Sequence, residues 1–472
     1  MKKLYATTIF KQLFSIAAGL VLSFLIYSIT FLGFKESIYT FTIFSILSFL
    51  FLYSKNQKKY ERTITNIVFG ILLFVITKLF YQLFLTYFTI PAWDFPGFYL
   101  FGKVGISGLP FYDPNSSFEI YNHLNLANHV APGFVSEVVK VGFWYPPPSM
   151  FLFLPLGIFK LQTAYIIWQT MLAIFLVTSI ILLVKYYTFK PPEGYNEKIF
   201  QLFLLSLILF FPSFLSSFEI SQTVFIFLFF LVLLLKDLDN WKAGVFLALL
   251  IIIKPLAAIF ALYFLIFKKW KIFTSFLVTG CIIIGVSILF FGFDSFLTFF
   301  KYPPTDRIPP EVFYESTIQS LSAVLLRLQL KYFGYVQFRS IKIIAYSVSF
   351  FILLMTIYCS FLISKKDSKL AFMIFVPMAL IIYPNTLTSY TIILLPVILY
   401  IFNKNYFNNA VLNVLSIFFL YSICHYSFFL FNLILWILFV AGSMRNRYKL
   451  FPEINLPSKI LQGLIKLHIV KV

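Results

Sequence analysis

Residues 243–267 read AGVFLALLIIIKPLAAIFALYFLIF, and residues 268–292 continue KKWKIFTSFLVTGCIIIGVSILFFG. A helix needs about 20 apolar residues to cross a bilayer, and the second stretch supplies them after a cluster of three lysines. The first stretch is equally apolar but is interrupted near its middle by Lys254-Pro255. Proline cannot continue a helix, and a lysine inside an apolar run is costly unless it has a task. Two topologies remain open. In one, 243–267 is a tight hairpin with its apex at Lys254-Pro255, and Tyr145–Lys160 is interfacial or re-entrant. In the other both segments span, and everything between them changes side. The hairpin keeps Lys268, Lys269 and Lys271 on the inner side, and it is the topology adopted.

The rest of the chain repeats this pattern. Of 472 residues, 61% are hydrophobic and only 11% charged, whereas a soluble domain carries roughly 25% charged residues. The bilayer must therefore solvate most of the chain. The net charge of +20 is spread over short clusters between apolar runs, such as Lys55/Lys58/Lys59/Arg62, Lys365/Lys366/Lys369 and Arg445/Arg447/Lys449. That is the positive-inside pattern of a multispanning protein, not a nucleic-acid-binding patch. Cys281, Cys359 and Cys424 lie in apolar runs and form neither a disulfide framework nor a metal spacing. The apolar run from Phe10 after Met1-Lys2-Lys3 has no small-residue cleavage site behind it and reads as a retained first helix. The fold class is an all-α polytopic membrane protein with about 12–13 transmembrane helices.

Two stretches, 91–150 and 293–338, are too polar to span. Counting helices from the inner clusters at either end places both on the outer face. Together they carry Asp94, Asp113, Glu119, Glu137, Asp294, Asp306, Glu311 and Glu315, eight of the seventeen acids. The expected organisation is a two-helix N-terminal segment (1–62), a module (63–292) holding the first outer loop, and the second outer loop (293–338). C-terminal helices (339–445) and a basic amphipathic tail (446–472) on the inner surface follow.

Within this frame Asp94 is the first candidate for chemistry. It follows the helix at 65–90 by four residues and is flanked by Trp93, Phe95 and Phe98. Desolvation at such a place raises a carboxylate's proton affinity and suits it to general-base work; a helix cap or loop acid is the plainer reading. Lys254, at the outer edge, would suit a lipid phosphate, or else it snorkels to the interface. Lys78, with Gln82 one turn away, lies deep in its helix. Phe143-Trp-Tyr-Pro-Pro-Pro-Ser149 is either a rigid element of the site or an interfacial anchor. Glu219 and Gln222 open a helix towards the same cavity, or cap it. Asp237-Leu-Asp239 imitates the metal-binding acid pair of nucleotide-sugar enzymes, but sits in a short inter-helix loop with no nucleotide-binding domain. The four histidines have no ligand spacing, and there is no phosphate-binding loop or dinucleotide fingerprint.

Several segments, in order, resemble the family 87 glycosyltransferases, membrane enzymes of the GT-C architecture related to mycobacterial polyprenol-phosphate-mannose-dependent mannosyltransferases. They are Asp94–Tyr99, Gly108–Pro114, Tyr145–Ser149 with Leu154–Leu156 and Trp168, Glu219–Gln222, Lys254-Pro255, Gln319–Leu321 with Arg327, and Tyr383-Pro-Asn385. The resemblance covers about 65 to 400 and implies an outer-face transferase taking a hexose such as mannose from a polyprenyl phosphate. On it Asp94 is the catalytic base, with inversion at the anomeric carbon. Tyr99, Tyr145, Glu219, Gln222, Lys254, Gln319, Arg327 and Tyr390 bind substrate, and Lys254 and Arg327 meet the departing phosphate. It implies no metal and no cofactor besides the lipid-linked donor, and a lipid or glycan acceptor. Relatives often have Gly-Gln where this chain has Ser221-Gln222, and a histidine where it reads Thr386-Leu-Thr-Ser-Tyr390. The rival class is a lipid or polysaccharide transporter, for which internal repeats and paired intramembrane ions would speak; no repeat is visible.

Overall fold

The computed structural model describes residues 36–54, 59–88, 94–131, 133–186, 195–209, 213–302, 317–334, 338–403 and 427–448, with Ile90, Pro191 and Phe211 besides. The first apolar segment (10–32), residues 303–316 with Asp306, Glu311 and Glu315, the 408–424 segment and the tail from 449 lie outside them. The described residues are helical, joined by turns, with one isolated bridge between Ile318 and Leu387. In chain order the helices are α1 (Glu36–Tyr53), α2 (Glu61–Phe88), α3 (Asp94–Ile106), α4 (Pro114–His123), α5 (Met150–Ile158), α6 (Leu161–Tyr186) and α7 (Glu197–Leu209). Next come α8 (Phe214–Glu219), α9 (Val224–Lys236), α10 (Lys242–Ile253), α11 (Ala258–Ile266), α12 (Trp270–Phe291) and α13 (Phe293–Lys301). The remainder are α14 (Leu321–Phe333), α15 (Phe338–Ser364), α16 (Ser368–Met373), α17 (Phe375–Ile382), α18 (Leu395–Asn403) and α19 (Phe428–Tyr448).

This is an all-α polytopic membrane protein. Four of the described helices are individually long and apolar enough to cross a bilayer: Glu61–Gln82, Leu161–Tyr186, Trp270–Phe291 and Arg339–Ser364. The other apolar segments are shorter helices, broken where proline or a turn intervenes. Hydropathy registers their apolarity but not these breaks.

The 243–267 segment is a hairpin. A Cβ on Gly244, at the start of α10, would collide with the backbone carbonyl of Ile272 at the start of α12. Lys269 ion-pairs with Asp239 at 2.6 Å, so both ends of the α10–α11 pair lie together and Lys254 is the apex. Pro255 opens the 3₁₀ turn Pro255–Ala257 between the two arms. Having no N–H, it breaks the ladder, and Ser149 Oγ donates to the nearby Ile252 carbonyl at 2.5 Å.

The same end of the bundle gathers the other lysine-rich loops. Lys236 lies over the Tyr186 ring at 4.7 Å, Tyr263 donates to the Ser368 carbonyl at 2.9 Å, and Asn196 donates to Glu61 at 2.6 Å. The helix ends at Tyr186 and Lys236, the turns at 236–242 and 267–271, and the α15–α16 turn at 365–367 thus form one basic end, and Glu61 meets Asn196 beside the neighbouring helix starts. Helices α9 and α10, of 13 and 12 residues, rise from it by roughly 18–20 Å, short of the ~30 Å of hydrocarbon. Their far ends, at Gln222 and Lys254, therefore stop short of the opposite membrane surface.

Helix α3 is set against α5 by a glycine contact. A Cβ on Gly102 would meet the Phe153 carbonyl, and one on Gly157 the Gly102 carbonyl. Two backbones approach here as only small residues allow. Phe98 stacks on Phe153 at 4.8 Å and lies 5.4 Å from Trp168, which fixes the direction in which α3 presents its first residue.

Candidate active site

Asp94 is the first residue of α3, where the helix dipole favours a carboxylate. It is partly exposed while its neighbours Phe95 to Phe101 are buried. Burial lifts its pKa from 3.8 to about 6, against a Gln222 hydrogen bond and the Lys254 charge, which both lower it. A carboxylate tuned this way is still ionised at neutral pH, yet binds a proton more tightly than a solvated one.

Lys254 does not snorkel. It is 3% exposed, and its ammonium donates to the Tyr390 hydroxyl at 2.7 Å and the Gln222 amide oxygen at 3.3 Å. The ring centroids of Tyr390 and Tyr145 lie 3.9 and 5.7 Å from it, so cation–π attraction adds to the hydrogen bonds. Gln222 thus connects the two charged groups, receiving from Lys254 and reaching Asp94. Burial, then the Asp94 charge, pushes the Tyr145 phenol well above its ordinary range, so at neutral pH it stays protonated.

The turn that aims Gln222 has a built-in strain. Ser221 has φ +62°, in the left-handed region that favours glycine. Its carbonyl accepts from Trp168 Nε1 at 2.9 Å and its hydroxyl from Gln169 Nε2 at 2.7 Å. The Ser-for-Gly departure read in the sequence therefore falls on a backbone position suited to glycine, and Gln169 holds the added hydroxyl. Gln169, a fully buried amide in the apolar run of α6, went unremarked in the sequence; its polarity in such a run was the available signal.

Tyr390 is brought in by a second strap. Gln319 N donates to the Thr386 carbonyl at 2.6 Å and Thr388 N to the Thr317 carbonyl at 2.9 Å. Ser217 Oγ donates to the Ser389 carbonyl at 3.1 Å. The Tyr390 hydroxyl so placed accepts from the lysine.

Of the nine residues singled out in the sequence, the structure brings five together: Asp94, Tyr145, Gln222, Lys254 and Tyr390. The others are placed differently. Gln319 accepts from Phe429 N at 3.1 Å through its side-chain oxygen, and Arg327 donates to the Ile318 carbonyl at 2.7 Å; both engage the strap that carries Tyr390. The Tyr99 hydroxyl donates to the Phe159 carbonyl at 3.1 Å. Glu219 is exposed and closes α8 instead of opening a helix; the helix that follows begins at Val224. Tyr383, electrostatically coupled to the Tyr145 phenol, adjoins the cluster.

The chain matches glycosyltransferase family 87 over residues 143–389, just over half its length. It belongs to that family and is a glycosyltransferase. The match includes Tyr145, Gln222 and Lys254 and ends one residue before Tyr390; Asp94 lies ahead of it. No curated protein matches the chain, and no solved structure does.

Proposed function

We propose that this glycosyltransferase moves a sugar, a hexose such as mannose, from a polyprenyl-phosphate donor to a hydroxyl of a lipid or glycan acceptor, with inversion. The observation that carries the reading is the pairing at the hairpin apex: a carboxylate of raised proton affinity beside a buried ammonium, connected through Gln222. Asp94 accepts the proton of the acceptor hydroxyl as its oxygen attacks the anomeric carbon. The bond from that carbon to the phosphate oxygen breaks, and the Lys254 ammonium stabilises the phosphate that departs. Gln222 and Tyr390 hold that ammonium in place. A site among apolar helices suits a donor whose tail enters from the bilayer.

The cluster lies opposite the basic end, and by the positive-inside rule the reaction belongs on the extracytoplasmic face of the plasma membrane. We assign the phosphate to Lys254 without a bound metal. The test is turnover by purified protein with a panel of polyprenyl-phosphate sugars, with and without chelator. Product formed with one of them, retained under chelation and lost in Asp94→Asn, supports the proposal. Transfer from a nucleotide sugar alone, loss on chelation, or translocation of labelled lipid sugar without product overturns it.

A further inference from the structure

A second concavity lies away from the Asp94 cluster. It has a volume of about 470 Å³ and lies between the end of α3 with its following turn and the α12–α13 junction. That is within the size range of small-molecule sites, roughly 300–1,000 Å³. Asp113, Asp294, Ser295 and Thr298 line it, with aromatic walls from Phe111 and Phe291. Among the described residues no lysine or arginine lines it.

The walls are built in. Phe111 meets Phe291 edge-on at 5.5 Å, Tyr112 packs on Phe299 at 5.8 Å, and the Phe111 carbonyl accepts from Phe143 N at 3.1 Å. Asp113 is held as the cap of α4, accepting from Asn115 N at 3.0 Å. Its location is also defined. α12 ends at Phe291 and the chain turns at Gly292, φ +75°. α13 then presents Phe293, Leu297 and Phe300 outward, at 57%, 51% and 75% exposure, while Asp294, Ser295 and Thr298 face the cavity. An amphipathic helix following a membrane span lies at the interface, so the cavity opens there.

Charge narrows the ligand. Two carboxylates without a cation repel a phosphate, so the lipid-phosphate end of the donor does not belong here. Carboxylate and hydroxyl acceptors over aromatic walls suit a neutral ligand rich in hydroxyl donors. Gly105 at the cavity edge is eleven positions along α3 from Asp94, roughly 16 Å of helix. A single hexose at Asp94 does not reach it; an oligosaccharide does. The wall is also tied to the reacting centre, since Tyr112 donates to the Tyr145 carbonyl at 2.6 Å.

We infer that this cavity binds neutral saccharide units of a glycan acceptor, remote from the hydroxyl that reacts. The inference rests on the transferase reading above, but binding tests it without turnover. Full-length protein in lipid nanodiscs is titrated with octyl glycosides of one and four mannose units, with no donor present, and binding is read by saturation-transfer NMR. The tetramer is expected to bind at least ten-fold more tightly than the monomer, in wild type and in Asp94→Asn alike. Thr298→Trp, which fills the cavity, and Asp294→Asn, which removes one carboxylate with little change of shape, each weaken the tetramer at least ten-fold. If the tryptophan variant fails to fold, the asparagine variant carries the test. Unchanged tetramer binding in a folded variant, or tighter binding of an octyl mannose phosphate, overturns the inference whether or not any donor supports turnover.

Discussion

The two ends of the α10–α11 hairpin each carry a lysine with an aspartate, and the two arrangements differ in nearly every physical respect. At the base, Lys269 touches Asp239 at 2.6 Å, with the aspartate 74% exposed. At the apex, Lys254 is buried and joined to Asp94 through Gln222. The exposed pair is in direct contact, yet water screens it, and such pairs contribute about 0–1 kcal/mol. The apex pair is kept apart by an amide, so neither charge cancels the other at contact, and the low dielectric around Lys254 amplifies what each does to a third group. Proximity of opposite charges is thus a poor guide to function in this protein; burial with separation is a better one.

The largest break in this comparison comes from Asp94→Asn. Loss of a general base costs about 10²–10⁴ in turnover, measured with a polyprenyl-phosphate sugar once the donor is identified. The same variant is expected to unfold at a higher temperature than wild type at neutral pH. The sign follows from linkage: a carboxyl whose folded pKa is raised to about 6 stabilises the fold only while protonated. That contribution is complete below the ordinary carboxyl range and is lost as pH rises through about 6. The gain in melting temperature should therefore open above about pH 4 and level off above pH 6. No gain at pH 7.5 would show that Asp94 is not desolvated.

Lys254→Met keeps the length and apolar stem but removes the charge. We expect a loss of about 10²–10³ in turnover, the scale for one electrostatic group at a developing anion. The wild-type rate should fall as pH drops through about 6, where Asp94 takes up its proton. Because Lys254 lowers the Asp94 pKa, this acid limb should move to higher pH in Lys254→Met. A pH–rate profile with an unmoved limb would uncouple the two residues.

Tyr390→Phe removes the hydroxyl that receives the Lys254 ammonium but leaves the ring 3.9 Å away. A hydrogen bond to a charged group is worth about 1.5–3 kcal/mol, and the retained cation–π contact offsets part of it. About a ten-fold fall in kcat/KM is expected from steady-state kinetics.

How much of this was legible beforehand follows from cost. Asp94 and Lys254 stood out because a charge among apolar residues is expensive, and Lys254-Pro255 also marked the hairpin apex. The loop lysines then oriented the hairpin. What stayed hidden was convergence across the chain. Nothing local to Tyr145, Gln222 or Tyr390 says that they meet, and nothing in Gly105–Pro114 says that it faces Phe290–Thr298. The family resemblance grouped the first set, and it also grouped Tyr99 and Arg327, whose described hydrogen bonds go to the Phe159 and Ile318 carbonyls. The positive φ of Ser221 was invisible too, although the glycine common in relatives pointed to it. Apolar composition also does not report where α8, α16 or α17 stops.

The smallest effect is expected at the base of the hairpin, and it is the control that gives the others meaning. Asp239→Asn removes the Lys269 ion pair while leaving an exposed polar side chain in the same loop. Because Asp239 is mostly in water, its partner is not stranded when the charge goes, and the cost in stability should stay below about 1 kcal/mol. What remains of it should shrink further in high salt, where surface charges are screened over ~10 Å or less. Turnover should be unchanged, because the pair lies at the opposite end of α10 from Lys254, roughly 18 Å of helix away. A ten-fold loss of activity would mean that the hairpin transmits its base geometry to the apex, and the contrast between an inert and a working Lys–Asp pair would collapse.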